Sequence, residues 1–461
     1  MTPKELTAAL GGIADYAEVR AQTNTSTAIQ MLNGNLTVNT VNTTGGVSAR
    51  VNAGMWGFAS APEQTAESVK TVLDAARRNA LFLSGKTGRK GPELHTGFHA
   101  KGISVPRKEK PHASAADKLG FIRALDSYIQ KKYPALVSRH VVLSGITMEK
   151  TVAVSGGAEA HTFLPRTTVY VQFSAEGKEG APVDLMMEPA GGGGEYEDLF
   201  GDPAALYGSI DECYESLMKK REGVRPEGGV KTCVLAPDLA GILAHEAVGH
   251  TVECDLVRGG SVAGKLLNQT VASEKVSITD FAHTAFGQAC PIPVYADDEG
   301  VEARDAVLID KGVLKGYMHN RRTAYEYGAE PAGNARAFAF SDEPLIRMRN
   351  TCILPGSDKL ADLIASVEDG YYLSHPTNGQ ADMTGEFMFG VGLGFEIKNG
   401  KLGRALTDTT VSGVAFEMLK TVTGVSDDLQ WIASGTCGKK QMMVVGMGGP
   451  AVLCRINVGG E

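Results

Sequence analysis

The stretch STAIQMLNGNLTVNT, Ser26 to Thr40, decides the fold class. Apolar and polar residues alternate on both sides of Asn33-Gly34. That dipeptide readily takes the positive φ angles of a type I′ turn, so the stretch reads as an antiparallel hairpin. VNTTGGVSARVNAG, from Val41, continues the pattern with Gly45-Gly46 as its next turn. SVKTVLDAARRNALFL then switches to helical spacing, with Val69, Val72, Leu73, Ala76 and Leu81 forming the stripe that covers the sheet. Residues 1–85 therefore read as an N-terminal α/β unit.

Residues 86–111 are rich in Gly, Lys, Pro and His, show little periodicity, and read as a linker or long surface loop. A second α/β unit is expected over 112–226. Its parts are a helix with Leu119, Ile122, Leu125, Ile129 and Tyr133 on one stripe, a hairpin turning at Ser155-Gly156-Gly157, and a helix outlined by Leu206, Ile210, Cys213 and Leu217. The glycine run Gly191 to Gly194 follows no buried strand and lacks a GK[ST] ending. It reads as a flexible loop bordering a site rather than a phosphate loop, and Gly193 and Gly194 are weak substrate-binding candidates. From 227 to 461, hairpins at Lys311-Gly312 and Asn399-Gly400 follow the buried-type strand VKTCVLAP, which indicates a largely antiparallel C-terminal domain. The fold class is α+β: N-terminal α/β units with curved antiparallel sheets and covering helices, then a β-rich domain carrying one distinctive helix.

That helix is LAGILAHEAVGH, with Asp238 as its expected N-cap. Neutral imidazoles are good zinc ligands, and a carboxylate directly after the first histidine can take a proton from metal-bound water. His245, Glu246 and His250 supply those groups. The histidines stand five apart, which on a regular α-helix splays them by about 140°. A π-bulge or a helix end at Gly249 removes the obstacle. Two histidines leave a catalytic zinc site one protein ligand short. Candidates are Glu253, Cys254, Asp255 or a distant cysteine. Among the last, Cys437 in GTCGKK stands out, since its glycines and lysines suggest an exposed thiol favouring the thiolate. Cys233, in an apolar strand, reads as core.

Composition narrows the classes. The chain has 461 residues, 43% hydrophobic, and a net charge of -8 with basic residues dispersed, which offers no footprint for nucleic acid or an anionic membrane. Seven scattered cysteines do not resemble a disulfide framework, no apolar run is long enough to span a bilayer, and MTPKELTAAL lacks a signal-peptide pattern. A cytoplasmic location is the expectation.

LAHEAVGH, DDEGV at Asp297 to Val301, LKGYM at Leu314 to Met318, GNAR at Gly333 to Arg336, GTCGK and the terminal NVGGE together resemble, in order and spacing, the TldD branch of the TldD/PmbA family. The resemblance covers essentially all of the last half and, more loosely, the N-terminal hairpins and GGGGEY. It implies one Zn²⁺ held by His245, His250 and Cys437, with Glu246 as general base of a metalloprotease acting on extended peptides. It further implies a dimer, formed with a metal-free PmbA/TldE-like partner or with a second copy. Thr251 and Cys254 depart from the pattern, and Cys254 is expected to pack rather than bind. Arg336 is a weak candidate for contacting substrate. His283, His319 and His375 are expected at the surface or in hydrogen bonds. The alternatives are a non-catalytic regulator of DNA gyrase or another protein, with zinc as a staple, and a zinc amidohydrolase acting on a small molecule.

Overall fold

The computed structural model describes residues 1–88, 93–178 and 180–459. Part of the 86–111 stretch, and the last two residues of NVGGE, lie outside the described residues. Strand β1 (Tyr16–Leu32) turns at Asn33 (φ 51°) and Gly34 (φ 84°) into β2 (Asn35–Asn52), so the Asn-Gly signal holds. Gly45-Gly46 does not turn the chain: β2 runs straight through it, paired with Gln22 and Thr23. The glycines are there for space, since a Cβ on Gly46 would lie 2.3 Å from the Ala61 carbonyl oxygen and 2.5 Å from the Phe340 ring. β3 (Trp56–Ala61), β4 (Lys101–Val105), β5 (Ser138–Val154), β6 (Ala158–Glu176) and β7 (Pro182–Gly192) complete one seven-stranded sheet. The strands expected in two separate units thus share hydrogen bonds, chiefly through β1 and β5. β4 falls in the stretch expected to be loop and pairs in parallel with β6. β5 and β6 turn at 155–157 as expected, while Gly191 and Gly192, expected in a loop, end β7 against Thr168 and Thr167.

After the short α1 (Pro3–Leu10), helix α2 (Ala66–Thr87) buries Val69, Val72, Leu73, Ala76 and Ala80 against this sheet. Leu81 is instead 46% exposed. Twelve residues beyond Val69 it has rotated about 120° off the stripe, whereas Ala80 is only about 20° off it. α3 (Ala115–Lys132), the one-turn α4 (Tyr196–Leu199) and α5 (Tyr207–Arg221) build a second core cluster around Ile122, Leu125, Ile129, Ile210, Cys213 and Leu217.

The C-terminal part is rich in strands. β8 (Gly229–Leu235) lies between the strands Asp369–Ala381 and Val452–Val458. Val452–Val458 continues to Thr409–Val414 and then Glu386–Lys398, which pairs back to Asp369–Ala381. Those five strands form a closed ring. The pattern is not wholly antiparallel, because β8 runs parallel to Asp369–Ala381, and Asn350–Ile353 runs parallel to Gly446–Gly449 in a neighbouring six-stranded sheet. The first parallel pair follows from a crossover: the chain leaves β8 through the distinctive helix and returns much later in the same direction.

Candidate metal centre

That helix, α6 (Pro237–Leu243), begins with Ala236 as N-cap and Pro237 at N1. Asp238 therefore sits inside the first turn rather than at the cap, a correction with a physical reason. Proline is well suited to N1, where its missing N–H costs nothing, and the carboxylate still faces the positive end of the helix. Asp238 also accepts the His375 backbone N–H at 2.7 Å. α6 lies directly on the strand Gly446–Gly449, where a Cβ on Gly449 would come 2.9 Å from that of Ala240.

At Ala244–Gly249 the helix widens into a π-turn, followed by a 3₁₀ turn over His250–Val252. The His250 N–H donates to the His245 carbonyl, an i→i+5 bond that stacks residues five apart. The two imidazoles accordingly meet edge to face, 5.0 Å between centroids. The expected distortion is present. Gly249, however, keeps right-handed helical angles, and what it supplies is room: a Cβ there would lie 1.9 Å from Met348 Sδ.

Cys437 arrives on the hairpin Thr436–Lys439 with Gln441–Val444. The fully buried Arg347 donates from one guanidinium to the Cys437 and Gln441 carbonyls, both at 2.8 Å, which fixes both arms. One donor atom from each of His245, His250 and Cys437 lies within 4.8 Å of the others, and Cys437 Sγ is 3.3 Å from His250 Nε2. The thiol is 4% exposed, contrary to the exposed position expected. Burial pushes it up, but the charges and hydrogen bonds of His245 and His250 outweigh that and hold it down to about 5. The lysines are not the main cause, since Lys439 is engaged with Glu253 and Asp255. Burial works against a charged His250, yet the neighbouring Glu253 raises it well above the usual imidazole range.

The donor set suits a borderline-soft divalent ion such as zinc. His245 Nδ1 is buried with no hydrogen-bond partner among the described residues, and the imidazole–thiolate cluster holds protons that a metal ion would displace. Glu246 has no hydrogen bond to a described residue, and its Oε2 stands 3.9 Å from His250 Nε2. Past it runs the strand Asp369–Ala381, whose register shifts between Pro376 and Gly379. A Cβ on Gly379 would lie 3.1 Å from Glu246 Cγ.

Of the other third-ligand candidates, Glu253 lies on the far side of His250, accepting from Nδ1 at 2.9 Å. Cys254 is buried, its thiol pushed by that burial to about 12, as packing requires. Asp255 accepts from Lys439. Arg336 is 4% exposed and donates to the Met348 carbonyl, so burial removes it from any peptide at the surface. Gly193 abuts the Pro291 carbonyl, and Gly194 offers its own carbonyl to Thr167. Neither joins the cluster. His283 stacks on Tyr295, His319 is buried beside Thr323, and His375 lies near Asp238. A second acid-and-histidine group, His112, Glu195 and Glu197, is already neutralised by Arg107, Lys110 and Lys118. Sequence reasoning missed Arg347, the Gly379 bulge and the orientation of Glu253. Only Glu253 left a trace, one turn beyond His250.

A largely buried His–His–Cys cluster with a glutamate 3.9 Å from one of its imidazoles, on a mixed α+β scaffold, is the apparatus of a metallopeptidase. Residues 228–460 match the PmbA/TldA metallopeptidase C-terminal domain, and residues 17–80 match domain 1 of the same group. A metalloprotease of Methanothermobacter thermautotrophicus is 31% identical, over 96% of this chain and 94% of its own. The chain belongs to the PmbA/TldD metallopeptidase family. A zinc metalloprotease TldD homolog of Saccharolobus solfataricus is 35% identical over 53% of this chain and 55% of its own. The crystal structure of TldE from Thermococcus kodakarensis shares the fold, with a TM-score of 0.75 at 17% identity, covering 96% of this chain and 97% of that one.

Proposed function

We propose that the protein is a zinc-dependent peptidase of the TldD branch that hydrolyses extended or unfolded peptides. The observation that carries this reading is the three-donor cluster with Glu246 beside it, its Oε2 3.9 Å from His250 Nε2 and without a hydrogen bond to a described residue. A structural zinc site normally closes with four protein ligands, and the group found among the described residues has three, which disfavours a mere staple. His245, His250 and Cys437 would hold the ion. When bound, Zn²⁺ acidifies water and polarises the scissile carbonyl. Glu246 accepts the water proton and passes it to the leaving amine. Because the Cys437 thiolate reduces the net positive charge at the site, the reaction leans more heavily on Glu246.

An extended peptide, held by main-chain hydrogen bonds along a strand-lined wall, gives affinity with little side-chain discrimination. The division into 1–85, 86–111, 112–226 and 227–461 places the peptidase chemistry in the last part. The enzyme works as a dimer, with a metal-free relative of the TldE kind or with a second copy. The zinc metalloprotease description of the Saccharolobus relative supports the zinc reading.

Glu246→Gln tests the reading. It is expected to abolish cleavage of an unstructured peptide while one zinc per chain remains by elemental analysis. Loss of metal and activity together would make Glu246 structural. Cleavage that persists would remove it from the chemistry. Light scattering with and without a TldE-type partner tests the dimer.

A further inference from the structure

We propose that Glu253 and Lys439 form a brace that fixes the metal centre before an ion arrives, making both of them positioning residues. The inference rests on His245, His250 and Cys437 being the ligand set. Two segments far apart in sequence must meet within bonding reach of one ion, and nothing in the covalent chain holds them together. The structure supplies the tie. Glu253 is fully buried, and its Oε2 lies 2.9 Å from His250 Nδ1, so Nε2, 3.3 Å from Cys437 Sγ, is the nitrogen turned to the cluster. The same oxygen lies 3.1 Å from Nζ of Lys439, two residues beyond Cys437 on its hairpin. Lys439 Nζ also donates to Asp255 at 2.9 and 3.0 Å and to the Ile346 carbonyl at 2.6 Å, so its position is over-determined.

The carboxylate thus does two things. It selects the imidazole tautomer that can bind through Nε2, as outer carboxylates do in histidine–metal sites. It also anchors the ammonium that holds the cysteine arm. A buried carboxylate costs several kcal/mol unless it is paired, and here its partners are one ligand and the neighbour of another. Among the candidates for a third ligand, Glu253 therefore serves the centre from behind a ligand instead of on the ion.

The test uses the full-length protein. Zn²⁺ affinity is measured by competition with a chromophoric chelator for wild type, Glu253→Gln, Lys439→Met and the double variant. Co²⁺ absorption serves as the signature of the thiolate ligand. Melting of the metal-free forms separates misfolding from loss of positioning. Each single variant is expected to bind Zn²⁺ about 10- to 100-fold more weakly. The double variant should be little worse than the poorer single one, because the two residues act as a unit. Lys439→Arg should recover part of the loss.

Wild-type affinity in Glu253→Gln and Lys439→Met, with the thiolate–Co²⁺ band present in wild type, would overturn the brace and leave the ligand set standing. A wild-type spectrum without that band, or one unchanged in Cys437→Ala, would overturn the ligand set itself. If Glu253→Gln fails to fold, Lys439→Met alone decides, since that side chain is 11% exposed and its loss leaves Glu253 still bonded to His250.

Discussion

His319 is 5% exposed, and its surroundings are aromatic: Tyr317 and Tyr327 flank the ring, with Thr323 at Nδ1. Burial lowers its proton affinity from the usual 6.5 to about 4. Below pH 6.5 the unfolded chain takes up a proton at this position that the folded protein refuses until near pH 4. Stability from this group is therefore complete above 6.5 and falls as the pH is lowered through that window, by up to about 3 kcal/mol. Urea titrations of His319→Gln should show a flatter decline between pH 6.5 and 4 than wild type. Identical slopes would mean that the ring is hydrated. At the same scale, the identities of His245, Glu246, His250 and Cys437 were legible from residue chemistry and family resemblance. The state of Cys437 was not. Its neighbours in sequence suggested a thiolate favoured by lysines at the surface, while its neighbours in space are two imidazoles in the interior.

Elements decide whether those residues can meet. The π-turn was legible because five-residue spacing is incompatible with a regular helix facing one ion, so the distortion followed from geometry. What accommodates it was hidden in a residue 99 positions away, since Met348 packs where a Gly249 side chain would be. Gly249→Ala should destabilise the metal-free protein by about 1–3 kcal/mol through overpacking. In chemical denaturation the loss should be non-additive with Met348→Ala. The bulge in Asp369–Ala381 carries a second expectation. Because Gly379 borders Glu246, the proposed general base, Gly379→Ala should reduce kcat about tenfold with zinc content and melting temperature unchanged, as that proposal requires of a displaced carboxylate. A stability loss without a rate effect would assign the glycine to folding alone. Helix stripes were read well where i, i+3, i+4 spacing persisted and failed at Leu81, where the phase had drifted. Strand partners were harder, since a β-type run declares its pleat but not the strand beside it.

Over the whole molecule, the N-terminal sheet meets the C-terminal part through buried charge. Arg50 bridges Glu18 in β1 and Glu299 in the DDEGV segment, Arg321 donates to Glu299 and Gly300 carbonyls, and Lys150 pairs with Asp298 at 2.7 Å. Replacing Arg50 with methionine strands two buried carboxylates and should cost about 3–5 kcal/mol. Guanidinium unfolding followed by tryptophan fluorescence, with Trp56 stacked under Arg50, reads this directly. A loss below about 1 kcal/mol would show that water reaches the cluster. Among the described residues, no helix is long and apolar enough to cross a membrane.

The sequence by itself determined the local periods, the Asn-Gly turns, the α+β class and the residue types suited to a borderline-soft divalent ion, because each depends on residues within one turn or one hairpin of each other; it misplaced a turn at Gly45-Gly46, which β2 runs through. Tertiary structure alone decided the shared seven-stranded sheet, the closed five-stranded ring, the burial of Arg336 and the pairing of Glu253 with Lys439. Those depend on which distant segments exclude water together, and that is settled only when the whole chain has packed.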